Sequence, residues 1–254
     1  MGYYRPSMSD KFSDGPRASF AGWFPVLLLA AAVPVAQAAD WNSTDVQLLH
    51  GASYELGDSH RGIMTLEHAD GWAYGDNFFF FDVTDPDSAG TGIYGEFSPR
   101  LSLGKLSGRD LGFGPVKDVL LAGQINNGTN FRAYLYGAGL DLKLPGFAFF
   151  QLNVYARDDI GLPGKTWQIT PVWLFPFALG GAKLSIGGFM DYAGAEGGRR
   201  PNLLFVPQLL LDLGALWDVP GRLQAGVEYS WWKNKFGLPG VTEKVAQPMV
   251  KWTF

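Results

Sequence analysis

About 12 times along this chain, apolar and polar residues alternate over roughly ten positions, each stretch bounded by Gly, Pro, Asn or Asp. Period-2 alternation sends successive side chains to opposite faces of a strand. A tilted strand of about ten residues crosses a bilayer, with one face in lipid and the other on a polar lumen. The stretches lie at 45–51, 63–69, 74–84, 93–103, 116–126, 131–143, 147–157, 166–177, 182–192, 202–212, 222–232 and 245–254. An even number lets the first strand pair with the last and leaves no open edge. The expected fold is therefore all-β, a closed antiparallel transmembrane β-barrel of about 12 strands, with 10 or 14 as the neighbouring solutions.

The closing stretch places Ala246, Pro248, Val250, Trp252 and Phe254 on one face. Gln247, Lys251 and Thr253 take the other, with Met249 among them. An end on Phe behind Trp looks like the last strand of bacterial outer-membrane barrels, where the terminal aromatic serves as an assembly signal. That likeness implies outer-membrane lipid as surroundings and the barrel-assembly machinery as a partner acting through this strand.

The other end agrees. Phe24 to Val35 is an apolar run preceded by Lys11 and Arg17 and followed by the small-x-small site Ala36-Gln37-Ala38. It reads as a secretory signal peptide over 1–38, too short to span a bilayer as a helix. A buried core helix is the alternative, and Met8 is a second candidate start. The barrel then occupies 39–254 as one domain.

No other apolar run reaches the roughly 18 residues of a helical span without a charge or a breaker. Yet 47% of residues are hydrophobic and 15% aromatic, as expected where lipid-facing residues alternate with lumen residues. Removing 1–38 takes away Arg5, Lys11, Arg17, Asp10 and Asp14, so the formal charge moves from -4 to -5. That acidic excess argues against a nucleic-acid partner, which needs a basic footprint. There is no cysteine, hence no disulfide and no thiolate metal site.

Strand phase assigns faces. On 93–103, Ile93, Gly95, Phe97, Pro99, Leu101 and Leu103 should meet lipid, leaving Tyr94, Glu96, Ser98, Arg100 and Ser102 inside. On 147–157, Gln151, Asn153, Tyr155 and Arg157 should point inward. The run Phe78-Phe79-Phe80-Phe81 is ambiguous by itself, but Asp76 and Asp82 favour Phe78 and Phe80 as the inward pair. Leu144-Pro145-Gly146 and Val219-Pro220-Gly221 read as tight turns, with longer loops at 158–165, 194–201 and 233–244. Short and long connections should then alternate between the two membrane faces in the second half.

Catalytic chemistry is sparse. His50, His60 and His68 all fall near the first hairpin at spacings that put no two on one helical face, so no metal site or cofactor is expected. A Ser-His-acid site is recognised by geometry, not spacing, and barrel-embedded lipases exist, so an enzyme stands as one alternative. The Gly194–Gly198 stretch lacks a P-loop lysine and reads as loop.

One block is more specific. Glu96-Phe97-Ser98-Pro99-Arg100-Leu101-Ser102 is followed by Lys105-Leu106-Ser107-Gly108-Arg109-Asp110-Leu111-Gly112-Phe113-Gly114-Pro115, and later by Asn153-Val154-Tyr155-Ala156. These elements resemble, in order and spacing, the hallmark segments of the Tsx/OmpK family of nucleoside-specific channel-forming outer-membrane proteins. A structural reading stands beside it: Glu96 with Arg100 as a lumen ion-pair ladder, and 105–115 as a shaped turn. The resemblance implies a monomeric barrel that passes nucleosides through weak sites of aromatic rings flanked by polar or ionisable groups. On this sequence the candidates are Phe78, Phe80, Asp82, Tyr94, Glu96, Arg100, Tyr155 and Arg157. A channel for another small solute, or a structural or receptor-like barrel, are the remaining alternatives.

Overall fold

The computed structural model describes residues 39–85 and 91–254; the expected signal peptide lies outside them. Twelve antiparallel strands close into one barrel in simple up-and-down order. They are β1 (Trp41–Ala52), β2 (His60–Trp72), β3 (Gly75–Thr84), β4 (Gly92–Ser102), β5 (Val116–Gly128) and β6 (Phe131–Leu142), followed by β7 (Phe149–Asp159), β8 (Thr166–Leu179), β9 (Ala182–Ala193), β10 (Asn202–Asp212), β11 (Leu223–Lys233) and β12 (Thr242–Thr253). Closure is made by β1 against β12, from Asp45 opposite Thr253 to Leu49 opposite Met249, and the Phe254 amide donates to the Thr44 carbonyl at 2.9 Å.

Side-chain placement is inverted relative to a water-soluble protein. Leu48, Phe81, Leu121, Val154 and Val250 stand on the outer face, Leu48 58% exposed. Gln47, Arg100, Asn126, Gln168 and Glu243 are buried within the wall of the lumen. Such a surface is stable only where the outside is hydrocarbon and the inside is wet. Outward aromatics such as Trp167 and Tyr192, in edge contact at 5.1 Å, sit near one end, and Phe147, Phe175 and Phe177 near the other. These are positions where amphipathic rings settle at membrane–water interfaces.

The connections depart from the expected alternation. Residues 213–222 carry a 3₁₀ turn at Gly214–Trp217 and then the tight turn at Val219-Pro220-Gly221, closed by the Arg222 amide on the Val219 carbonyl at 3.2 Å, so the tight turn ends a long connection. The end that holds the first residue of β1 and the last of β12 also carries the longest segment, 103–115. There the α-helix α1 (Leu103–Ser107) begins where the fourth strand was expected to continue through Leu103. Ser102 caps it by accepting from the Lys105 amide at 3.0 Å. Gly108 ends it at φ 64°, a left-handed position that suits glycine. The hallmark block after Ser102 is thus a built turn at the end of the barrel, where Lys105 borders the lumen and its Nζ ties back to the Trp72 carbonyl at 3.2 Å.

The strand phase is testable. Cysteine at Asp82 or Arg157 should react with a water-soluble thiol reagent in the assembled barrel, and cysteine at Leu121 or Val154 should not. Leu121→Arg, near the middle of β5, should lower unfolding stability by about 2–4 kcal/mol. Equal labelling of both sets would show the phase to be wrong.

Candidate functional site

All eight sequence-identified residues line one lumen of about 1760 Å³ that runs between the two ends. On β3, Asp76, Phe78, Phe80 and Asp82 point inward, and Phe81 stands on the lipid side, 49% exposed. Register places Phe80 opposite Glu96 and Asp82 opposite Tyr94 on β4. The rings form a continuous series: Phe78 to Phe80 at 6.1 Å, Phe80 to Tyr94 at 6.0 Å, and Tyr94 to Phe131 at 6.4 Å. Phe131 continues into a cluster with Ala122, Ala133, Leu135 and Tyr155. The Arg157 guanidinium lies over the Phe131 ring at 5.9 Å.

The charged members are not equally free. Glu96 accepts from the Tyr94 hydroxyl at 2.5 Å, from Gln124 at 2.8 Å and from Asn126 at 2.9 Å. Arg100 holds Asp76 through two bonds at 2.8 and 2.7 Å and Asp141 through a third at 2.9 Å. The expected Glu96–Arg100 ladder is therefore not formed. Arg100 lies along the wall where Ala122, Gly137 and Gly139 leave room, and a Cβ on Gly139 would meet its Nη1 at 3.7 Å. With three of its five N–H groups tied to Asp76 and Asp141, Arg100 braces β3, β4 and β6. Arg157 donates Nε to Asp159 and Nη1 to Gln168, and its Nη2 is in no hydrogen bond with a described residue. The Asp82 carboxylate accepts from Thr65 at 2.6 Å and from no other described side chain. Tyr155 is buried in the wall, and its hydroxyl forms no hydrogen bond with another described residue. Asn153 Oδ1 is buried and has no hydrogen-bond partner among the described residues. Asn153, Tyr155 and Arg157 thus form an inward row on β7 with hydrogen-bonding capacity left over, reaching the ring series at Phe131.

Three contributors carry no signal in the sequence pattern. Phe131 stands on an inward row with Ala133 and Leu135, so alternation there carries no polar signal. Tyr54 and Lys235 come from loops, where strand phase says nothing. Tyr54, from residues 53–59, donates to Gln247 at 2.5 Å, and Gln247 donates to Glu228 at 2.8 Å. Burial pushes the Tyr54 phenol up to about 12, so it remains a donor. Lys235, from residues 234–241, pairs with Glu243 and stands 4.9 Å from the Trp232 ring, 5.3 Å from Phe236 and 5.8 Å from Tyr54. Together they narrow the mouth opposite α1. His68 faces outward, bonded to Thr44 at 2.6 Å and stacked on Phe79 at 5.1 Å, and among the described residues no three His, Asp or Glu side chains converge as metal ligands.

Comparison with known proteins agrees with this architecture. Residues 38–200 match the family of the nucleoside-specific channel-forming protein Tsx. The outer membrane protein OmpK of Vibrio parahaemolyticus is 30% identical over 196 residues, covering 65% of this chain and 73% of that one. Tsx of Salmonella typhimurium is 29% identical over 130 residues, 45% of each chain. Among solved structures, the KdgM porin in complex with oligogalacturonate superposes with a TM-score of 0.51 at 10% identity, over 83% of this chain and 99% of that one, a likeness of fold. With a matching family model over most of its length and an inverted, closed 12-stranded barrel, this chain belongs to the Tsx family of channel-forming proteins and resides in the outer membrane.

Proposed function

We propose that this barrel passes nucleosides across the outer membrane by diffusion through the lumen. The carrying observation is the ring series Phe78–Phe80–Tyr94–Phe131 adjoining the unsatisfied polar row Asn153–Tyr155–Arg157. A base presents a flat face that stacks on any aromatic ring, and ribose hydroxyls need the donors and acceptors the β7 row retains. Successive rings about 6 Å apart give several weak sites, and a solute must leave each one for transport to occur. Each chain encloses its own lumen, so the reading needs only a monomer. The test is conductance in planar bilayers: nucleosides should block at concentrations where hexoses and amino acids do not. Equal block by all three would leave a general small-solute channel, and no conductance at all a structural barrel.

Charge adds a second expectation. Carboxylates outnumber cations among the described residues along the lumen, with Glu67, Asp82, Glu96, Asp191 and Glu228 among the carboxylates. Clefts of one sign concentrate the opposite ion. In a salt gradient the reversal potential should show cation preference, fading as pH falls and the carboxylates protonate. Neutral nucleosides should block more strongly than their phosphorylated forms. Anion preference at neutral pH would contradict this electrostatic reading.

A further inference from the structure

The rim of the barrel carries a cationic cleft that opens on its outer side, with Arg200 also bordering the mouth of the lumen. It lies at the end opposite α1, has a volume of about 250 Å³, and is lined by Tyr192, Arg200, Pro201, Leu203, Lys233 and Asn234. Its walls are held by two loops stitched together: the Arg200 amide donates to the Gly237 carbonyl at 2.9 Å, and Asn234 Nδ2 to the Pro201 carbonyl at 2.9 Å. Leu203 is register partner to both Tyr192 and Lys233, so these three side chains form one outward row across β9, β10 and β11. Lys244 is a diagonal neighbour on β12, opposite Trp231. Arg200, Lys233 and Lys244 are exposed, and none forms an ion pair with a described residue. Beside the cleft the same wall is apolar and aromatic, with Trp167 against Tyr192 at 5.1 Å at the rim and Trp173 stacked on Phe205 at 5.8 Å further along the strands.

Cations directly above an aromatic band fit an amphiphile with an anionic head and hydrocarbon tails. A hairpin inserted from the periplasm leaves the barrel's terminal strand ends on that side, so the cleft lies at the outer leaflet. Basic pockets at a membrane–water boundary recognise lipid headgroups in this way, and Arg adds bidentate geometry for phosphate. We propose that the cleft between Arg200 and Lys233 docks the phosphorylated headgroup of an outer-leaflet glycolipid, whose acyl chains lie along Leu203 and the aromatic band.

The test is binding of a bisphosphorylated disaccharide glycolipid to the purified full-length barrel in detergent, followed by native mass spectrometry. Its dephosphorylated form and inorganic phosphate serve as comparison probes. The phosphorylated lipid should bind more tightly than either, and Arg200→Gln with Lys233→Gln should weaken it by at least about tenfold. Lys165→Gln, whose lysine pairs with Asp158 at 2.9 Å elsewhere on the rim, should leave it unchanged. Equal affinity for the dephosphorylated lipid, or for inorganic phosphate, would overturn the proposal. So would an unaltered affinity in the double variant. If that variant loses its heat-modifiable folded band, the comparison of lipids on the unsubstituted protein still decides.

Discussion

Replacing Phe80 and Tyr94 together by alanine is expected to weaken nucleoside block by at least about thirtyfold, because each stacked ring contributes about 1–3 kcal/mol. Ionic conductance should stay the same or rise, since two bulky groups leave the wall. The pair stands in the middle of the ring series, 6.0 Å apart, so their loss interrupts the path and leaves Phe78 and Phe131 isolated. Tyr94 also donates to Glu96 at 2.5 Å. Tyr94→Phe separates the two roles: it keeps the ring, removes the hydroxyl, and should retain most of the block. Bilayer recordings with added nucleoside read both quantities at once. Undiminished block in the double variant would place solute recognition away from this wall.

Why some of this was readable in the chain and some not follows from what alternation encodes. Strand phase is set wherever one face meets lipid, since a slip by one residue would turn every side chain to the wrong side. That is why Asp76 and Asp82 were enough to orient the four-Phe run, and why Glu96, Arg100, Tyr155 and Arg157 all reach the lumen. Phase is silent where both faces are apolar, as on β6, whose inward residues include Phe131, Ala133, Leu135 and Gly137. It is equally silent in loops, which is where Tyr54 and Lys235 arise. Nor does phase name partners. Arg100 and Glu96 share one face, yet Arg100 pairs with Asp76, directly opposite it on β3, and reaches Asp141 across the small residues Ala122 and Gly137 on β5 and β6. The segment 103–115, the most family-like in sequence, is a capped turn at the barrel end, where alternation predicts no phase.

Lys235→Met is expected to be the most destabilising single substitution at the mouth. Lys235 and Glu243 are both buried, 4% and 1% exposed, and Glu243 also accepts the Glu55 amide at 2.9 Å. The pair therefore joins residues 53–59 to residues 234–241 above the lumen. Burial holds the Lys235 ammonium below its usual pKa, and Glu243 opposes that shift. Removing one partner of a buried ion pair costs about 3–5 kcal/mol, because the other is left charged and unpaired. The surrounding backbone is already strained: Asn234 and Phe236 sit at φ 50° and 56°, a left-handed region disfavoured for a bulky residue. Phe236 is held there by edge contact with Trp232 at 4.5 Å and by the ammonium itself. Without the cation both loops should leave the mouth, giving larger conductance together with a lower unfolding midpoint. Adding Glu243→Gln should recover part of the stability, since the orphaned charge is then gone, while conductance stays high because the link is still absent. A single variant as stable as the parent, with unchanged conductance, would show that these loops are held at the mouth by something other than this pair.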